Sequence, residues 1–224
     1  MWLELQNKEP DEKLKIGRAF TKTGLKLVFE FLLRPELLNL TYREIAVKTG
    51  IGFGNINFII TDLKQQGYLI AVNDKDGYVL NNKKELLEKW MVAYEQKLKP
   101  TLLIGALKFI NPGDFMNWKT LKLNEHETNW GGEPAGALLT GYLQPEELTL
   151  YTAENRYDLI KKYRMLPAND GNIKIYQKFW TDDMHVNAGT VPPLLAYVDL
   201  MLTGERRCLQ TAGKIYEKFL QDQF

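Results

Sequence analysis

The stretch TYREIAVKTGIGFGNINFIITDLKQQGYLI, residues 41–70, decides how the first half of this 224-residue chain is read. Thr41 followed three residues later by Glu44 is the capping-box arrangement, in which side chain and backbone satisfy each other's orphan donors at a helix start. Gly50 closes that short helix. After the tight Gly50-Ile51-Gly52 turn, Ile56, Ile59, Ile60 and Leu63 fall on one face of a helix over 53–66, with Gly67 as its left-handed stop. Two short helices around a glycine turn predict a helix-turn-helix, with Ile45, Ile51, Ile56 and Ile60 filling the angle between them and the small Ala46 where they approach.

Working outward, Leu25, Val28, Phe29, Leu32 and Leu33 form the stripe of a preceding amphipathic helix over 21–34. Downstream the period changes. Residues 68–72 (YLIAV) and 78–81 (YVLN) read as strands around the turn residues 73–77, NDKDG, and 82–99 reads as a helix with Leu86, Leu87, Trp90, Met91, Tyr94 and Leu98 inward, ended by Pro100. This is the order of a winged helix-turn-helix. The organisation expected is a flexible arm at 1–20, the winged domain at 21–100, and a mixed α/β domain at 101–224, an α+β chain as a whole. In the last part 101–110 is expected as a buried strand. A loop follows through 110–115, then a helix from the Gly131-Gly132 pair, and a strand at 148–152. Beyond these come a helix over 155–166, a strand over 172–180, and two closing helices from Val191.

The composition is 45 % hydrophobic, 12 % aromatic and 25 % charged, enough apolar material for a core. The net charge of +1 excludes a histone-like basic coat, yet residues 1–100 hold 16 basic against 13 acidic side chains while the remainder holds 13 against 15. That asymmetry has the sign expected of an N-terminal nucleic-acid binder. On the outer side of the third helix lie Asn55, Asn57, Thr61 and Lys64: amides pair bidentately with adenine, and the lysine reaches phosphate or guanine. Thr41, Tyr42, Arg43 and Lys48 are placed at the groove's rim, where hydroxyls and cations meet phosphate without reading sequence. The expected partner is double-stranded DNA carrying a promoter repeat. A homodimer on a palindrome is usual for such motifs, although no heptad seam marks one here. The alternative is a winged domain used for protein contact alone. Residues 41–69 carry a net charge of only +1, and Asp74 and Asp76 at the wing tip would repel phosphate.

Catalytic patterns are missing. Cys208 is the single cysteine, which rules out an internal disulfide, and with only His126 and His185 the chain has no structural zinc set. Asp182, Asp183 and His185 read as a solvated loop, and Cys208 as a packed thiol despite Arg206 and Arg207 beside it. Gly131-Gly132 followed by Glu146-Glu147 has the layout of a small nucleotidyltransferase, whose magnesium carboxylates must share one strand face. Adjacent residues point to opposite faces, so the pattern fails. No P-loop or Gly-x-Ser-x-Gly motif occurs. The expectation is a non-enzyme without cofactor or metal, and a nucleotidyltransferase-like enzyme with a docking module is the rival reading. The start of the chain shows no apolar signal segment and no stretch spans a membrane, so a cytoplasmic protein is expected.

Taken together, the winged segment at 41–70, WGGEPAGALLTGYLQPEELTLYT at 130–152 and VPPLLAYVDLMLTGERRCLQTAGKIYEKFL at 191–220 resemble the AbiEi-type transcriptional regulators, antitoxins of type IV toxin–antitoxin systems. The likeness spans most of 21–220. It implies a bacterial antitoxin that represses its own operon through residues 41–66. It further implies a C-terminal domain carrying antitoxicity against a nucleotidyltransferase-like toxin that it need not touch, with a degenerate nucleotidyltransferase-like ancestry of that domain as one reading.

Overall fold

The computed structural model describes residues 17–72, 77–181 and 189–224. The expectations placed on the arm before Gly17, on Asp74 and Asp76, and on Asp182, Asp183 and His185 lie outside those residues.

A single 3-10 turn, Arg18–Phe20, precedes helix α1 (Lys22–Leu33), whose N-cap Thr21 accepts from the Gly24 N–H at 3.2 Å. Helix α2 (Tyr42–Thr49) begins on the full capping box of Thr41 and Glu44 and ends at Gly50, which takes the left-handed φ of +67° that a side chain would resist. Helix α3 (Phe53–Gln65) follows, with Ile56, Ile59, Ile60 and Leu63 buried. Ile45 and Ile51 join them in the angle between the two helices. Strands β1 (Leu69–Ala71) and β2 (Tyr78–Leu80) pair antiparallel with Ile70 opposite Val79.

Helix α4 (Lys83–Ala93) does not stop at Pro100. The chain continues through a wider π turn, Tyr94–Leu98, into the short helix α5 (Lys99–Leu102), and strand β3 (Leu103–Phe109) starts at once. A proline ring clashes with the carbonyl four residues earlier in a regular helix. Here the Lys99 N–H bonds back to the Tyr94 carbonyl, and this longer step shifts the register ahead of Pro100.

After β3 come the helical turn α6 (Gly113–Met116), within the expected loop, strand β4 (Thr128–Gly131) and helix α7 (Gly132–Thr140). Strand β5 (Leu148–Thr152) leads to α8 (Arg156–Lys162), β6 (Met165–Pro167) and β7 (Ile173–Gln177). Helices α9 (Pro193–Leu202) and α10 (Arg206–Ile215) close the fold, the latter extended by a π turn, Tyr216–Leu220. The helix expected over 155–166 ends early: Arg164 turns the chain with a φ of +51°, and Met165 pairs with Phe109 as an edge strand. Strand 103–109 is only half-buried where burial throughout was expected, because Leu103 lies at the sheet's rim and is 48 % exposed.

The strand order is β4-β5-β7-β3-β6, antiparallel except for the parallel β5–β7 pair. The chain is therefore mixed, with helices packed around a five-stranded sheet and a second sheet of two strands. Helices α7, α9 and α10 pack on one another. A Cβ on Gly136 would stand 2.9 Å from Leu200 and 3.0 Å from Thr211, so this crossing depends on glycine. An aromatic seam joins the first helices to the sheet. Phe29 stacks on Trp90 at 5.2 Å and Trp90 on Tyr94 at 4.7 Å. Phe179 meets Phe29 at 5.0 Å, and Tyr151 meets Trp180 at 5.5 Å. One contiguous buried cluster runs through both halves.

Candidate nucleic-acid interface

Helix α3 buries one stripe and leaves the opposite face bare. At about 100° per residue, Gly54, Phe58, Thr61 and Gln65 centre on that outer face, with Asn57 toward its edge on the Lys64 side. Asn55, Asn57, Thr61 and Lys64 are all exposed, as are Arg43 and Lys48 on α2. The sheet half does not cover this surface. Asn55 and Asn57, however, lie about 200° apart around the helix, so the two amides cannot address one groove floor from the same side. Asn57 shares its face with Thr61; Asn55 turns toward the flank where Asp62 sits.

Two of the rim residues, Thr41 and Tyr42, and Lys64 of the third helix already have structural work. Thr41 donates its hydroxyl to the Glu44 carboxylate at 2.8 Å and accepts from the Glu44 N–H at 3.3 Å, while the Thr41 N–H donates to the same carboxylate at 2.8 Å. The Thr41 backbone N–H, then its hydroxyl, hold the Glu44 carboxyl below its ordinary range. Tyr42 is half-buried against Tyr78 of β2, and burial first, then Tyr78, pushes its phenol up. Lys64 reaches the Tyr78 hydroxyl at 3.3 Å and lies 4.9 Å from that ring's centroid, which ties the third helix to the hairpin.

The other flank of α3 holds residues that the sequence gave no reason to choose. Asp62 accepts from the Ala19 N–H at 2.8 Å, so the 3-10 turn docks on α3 and its carboxylate is occupied. A Cβ on Gly17 would come within 2.6 Å of that carboxylate, which is why glycine precedes the turn. The docking brings the Arg18 guanidinium over the ring of Phe58, 5.6 Å from its centroid. Phe58 is 56 % and Phe53 is 53 % exposed, so two aromatics stand on the surface of the same helix. Glu44 and Asp62, the two acids of this unit, each accept hydrogen bonds from within the fold and keep their charge, while Arg18, Arg43 and Lys48 are exposed.

The carboxylates of the second half are arranged for structure. Glu133, at the start of α7, is buried and held by both arms of Arg207, at 2.9 and 2.7 Å, and accepts from the Glu146 N–H at 2.7 Å. Glu146 leans on Arg207 at 3.4 Å. Glu147 is raised above its ordinary range by burial, with Lys174 opposing. The two neighbours lie in the bend that precedes β5, not on the strand, and have different surroundings. Glu133, Glu205 and Cys208 offer ligand atoms within 4.8 Å of one another, but Arg207 already bonds both carboxylates and supplies the positive charge. Burial pushes the Cys208 thiol up, against the pull of Arg207, so it is a packed thiol.

A second buried network crosses between the halves. Tyr151, fully buried on β5, donates to Asp199 on α9 at 3.0 and 3.1 Å, and its oxygen is 2.7 Å from the Tyr94 hydroxyl. Since the carboxylate only accepts, the Tyr151 proton goes to Asp199 and Tyr94 must donate to Tyr151. Lys99 completes the chain at 2.8 Å from Asp199.

No helix among the described residues is long and apolar enough to cross a membrane. No curated protein and no solved structure matches the chain. A family model described as the transcriptional regulator AbiEi, antitoxin of a type IV toxin–antitoxin system, matches residues 79–221, from within β2 to the end of the final helix. By that match over more than half its length, the chain belongs to the AbiEi antitoxin family of type IV toxin–antitoxin transcriptional regulators.

Proposed function

We propose that this regulator binds duplex DNA with α2 and α3 as a helix-turn-helix and β1–β2 as its wing, and that it represses its own promoter by occupying a repeat there. In this reading α3 enters the major groove. Asn57 and Thr61 meet base edges, Arg43 and Lys48 meet phosphate, and the Thr41–Glu44 pair fixes the angle at which α2 presents α3. Asn55 contributes from the flank of the same helix end. The protein acts in the cytoplasm, and two copies on an inverted repeat suit the motif. The sheet half carries antitoxicity toward a nucleotidyltransferase-like toxin without contacting it.

The observation that supports this best is the outer face of α3. It carries Asn57, Thr61 and Gln65 beside the exposed Phe58, is left uncovered by the chain's own second half, and is bordered by exposed cations.

The test is a gel-shift series on the region upstream of the protein's own gene, against a scrambled duplex. A bidentate amide contributes ~1–3 kcal/mol of discrimination, so Asn57→Ala should narrow the cognate-to-scrambled ratio by about 5- to 150-fold. Lys48→Ala should weaken both duplexes alike. An unchanged ratio in both Asn55→Ala and Asn57→Ala removes the groove assignment.

A further inference from the structure

We propose that Arg18, seated on the ring of Phe58, is a DNA-backbone contact beside the groove that α3 enters; the inference rests on the reading of α3 just given. Four observations carry it. The turn containing Arg18 is docked on α3 through the Ala19 N–H and Asp62, 43 residues away in sequence, and not merely adjacent to it. The Arg18 side chain is exposed and makes no ion pair with any described residue; it lies against the Phe58 ring. Phe58 is an exposed phenylalanine with a defined partner, which makes it a platform. Finally, the opposite flank repeats the device, since Lys64 lies over the Tyr78 ring of the hairpin.

The chemistry follows from the geometry. A guanidinium held over a ring keeps its face covered and its N–H edges outward, where they match phosphate oxygens bidentately, and its rotamer freedom is already reduced. Positions 58 and 64 lie about 120° apart around α3, so the two aromatic-backed cations bracket the face that holds Asn57 and Thr61. A major groove is ~12 Å wide and walled by two rows of phosphates, the charge pattern that such a pair would meet. The contact reads no sequence, so Arg18 adds affinity and orientation while Asn57 supplies discrimination.

The experiment measures binding of the full chain to the upstream duplex and to a scrambled one by fluorescence anisotropy, at several salt concentrations. Arg18→Gln should reduce the slope of log affinity against log salt by about 1 and weaken both duplexes by the same factor. Phe58→Leu, which keeps the arginine but removes the ring, should move the slope in the same direction by a smaller amount. Asn57→Ala should leave the slope at its wild-type value. If wild type binds and Arg18→Gln keeps the wild-type slope, this proposal is overturned while the groove reading stands; the same holds if Arg18→Gln changes the ratio between the duplexes. Wild type binding neither duplex overturns both.

Discussion

Consider removal of a single oxygen from the buried chain that runs Tyr94 to Tyr151 to Asp199, with Lys99 at its end. Because the protons point one way along it, the two phenols are not equivalent. Tyr151→Phe removes a donor from a buried carboxylate and at the same time strands the Tyr94 hydroxyl, whose acceptor among the described residues is Tyr151. A hydrogen bond to a charged group contributes ~1.5–3 kcal/mol and an orphaned buried donor costs ~1–3 kcal/mol, so the sum is roughly 2.5–6 kcal/mol. Tyr94→Phe loses one neutral bond and leaves Tyr151 donating to Asp199, at about 1 kcal/mol. In a chain of this size about 1 kcal/mol moves Tm by ~2–4 °C. Tyr151→Phe should therefore melt roughly 5–24 °C below wild type and Tyr94→Phe only about 2–4 °C below. In the double variant the stranded hydroxyl is gone, so its loss should fall short of the two single losses added together by ~1–3 kcal/mol. Denaturant unfolding followed by tryptophan fluorescence gives all four corners of the cycle. A Tyr94→Phe loss equal to or larger than that of Tyr151→Phe refutes the direction assigned to the chain, and strict additivity refutes the coupling.

Two further outcomes test the elements that frame the surface proposed to face DNA and the helix start of the sheet half. The Glu44 carboxyl is held below its ordinary value of 4.5 by the Thr41 N–H and hydroxyl, so its contribution is present above that pH and is lost as pH falls through the lowered value. Glu44→Gln should accordingly flatten that part of the acid limb of the stability curve, while an identical limb in both proteins counts against the capping box. Arg207→Ala leaves Glu133 buried without its bidentate partner. A fully buried pair broken this way costs ~3–5 kcal/mol, and the partly exposed guanidinium brings the expected loss to about 2–3 kcal/mol, only part of which Arg207→Lys restores. Equal midpoints for Arg207→Lys and wild type would show that a point charge suffices there.

What was legible in the sequence was the chemistry that closes over a few residues. The Thr41–Glu44 box, the left-handed Gly50 and Gly67, and the stripe from Ile56 to Leu63 are short-range signals, and each element they mark stands where the reading put it. The sheet half was less legible because its signals are made by neighbours. Strand β4 is four residues long and buried along its whole length, so it carries no alternation, and its pairing with β5 and the Trp130–Thr190 bridge alone make it a strand. Strand β6 hid inside a helical pattern because Arg164 takes a left-handed turn that nothing local to its sequence announces. Pro100 misled for a similar reason: its helix continues because Tyr94 and Leu98 are buried against the rest of the fold, and packing favours the π turn that lets the proline through.

The same distinction divides the candidate site. Asn57, Thr61 and Lys48 were visible as polar residues opposite a hydrophobic stripe, a property of one helix at a time. Arg18 was not, because its place beside α3 is set by a hydrogen bond to Asp62 and by a ring at position 58 that reads in sequence as one more apolar residue. The family match begins at residue 79, after α3 has ended, so the relatives identify the sheet half and say least about the surface that would read DNA. The two are nonetheless one body through the α4–α5 rod: Tyr94 and Lys99, which lie on it, bond the network inside the sheet half, and Trp90 on the same rod donates to the Leu25 carbonyl of α1 at 2.8 Å. Helix α1 in turn packs on α3. A substitution in the Tyr151 network that loosens this rod without unfolding the chain should therefore weaken DNA binding while leaving the ratio between cognate and scrambled duplexes intact, since it alters how α3 is held and not the side chains that α3 presents.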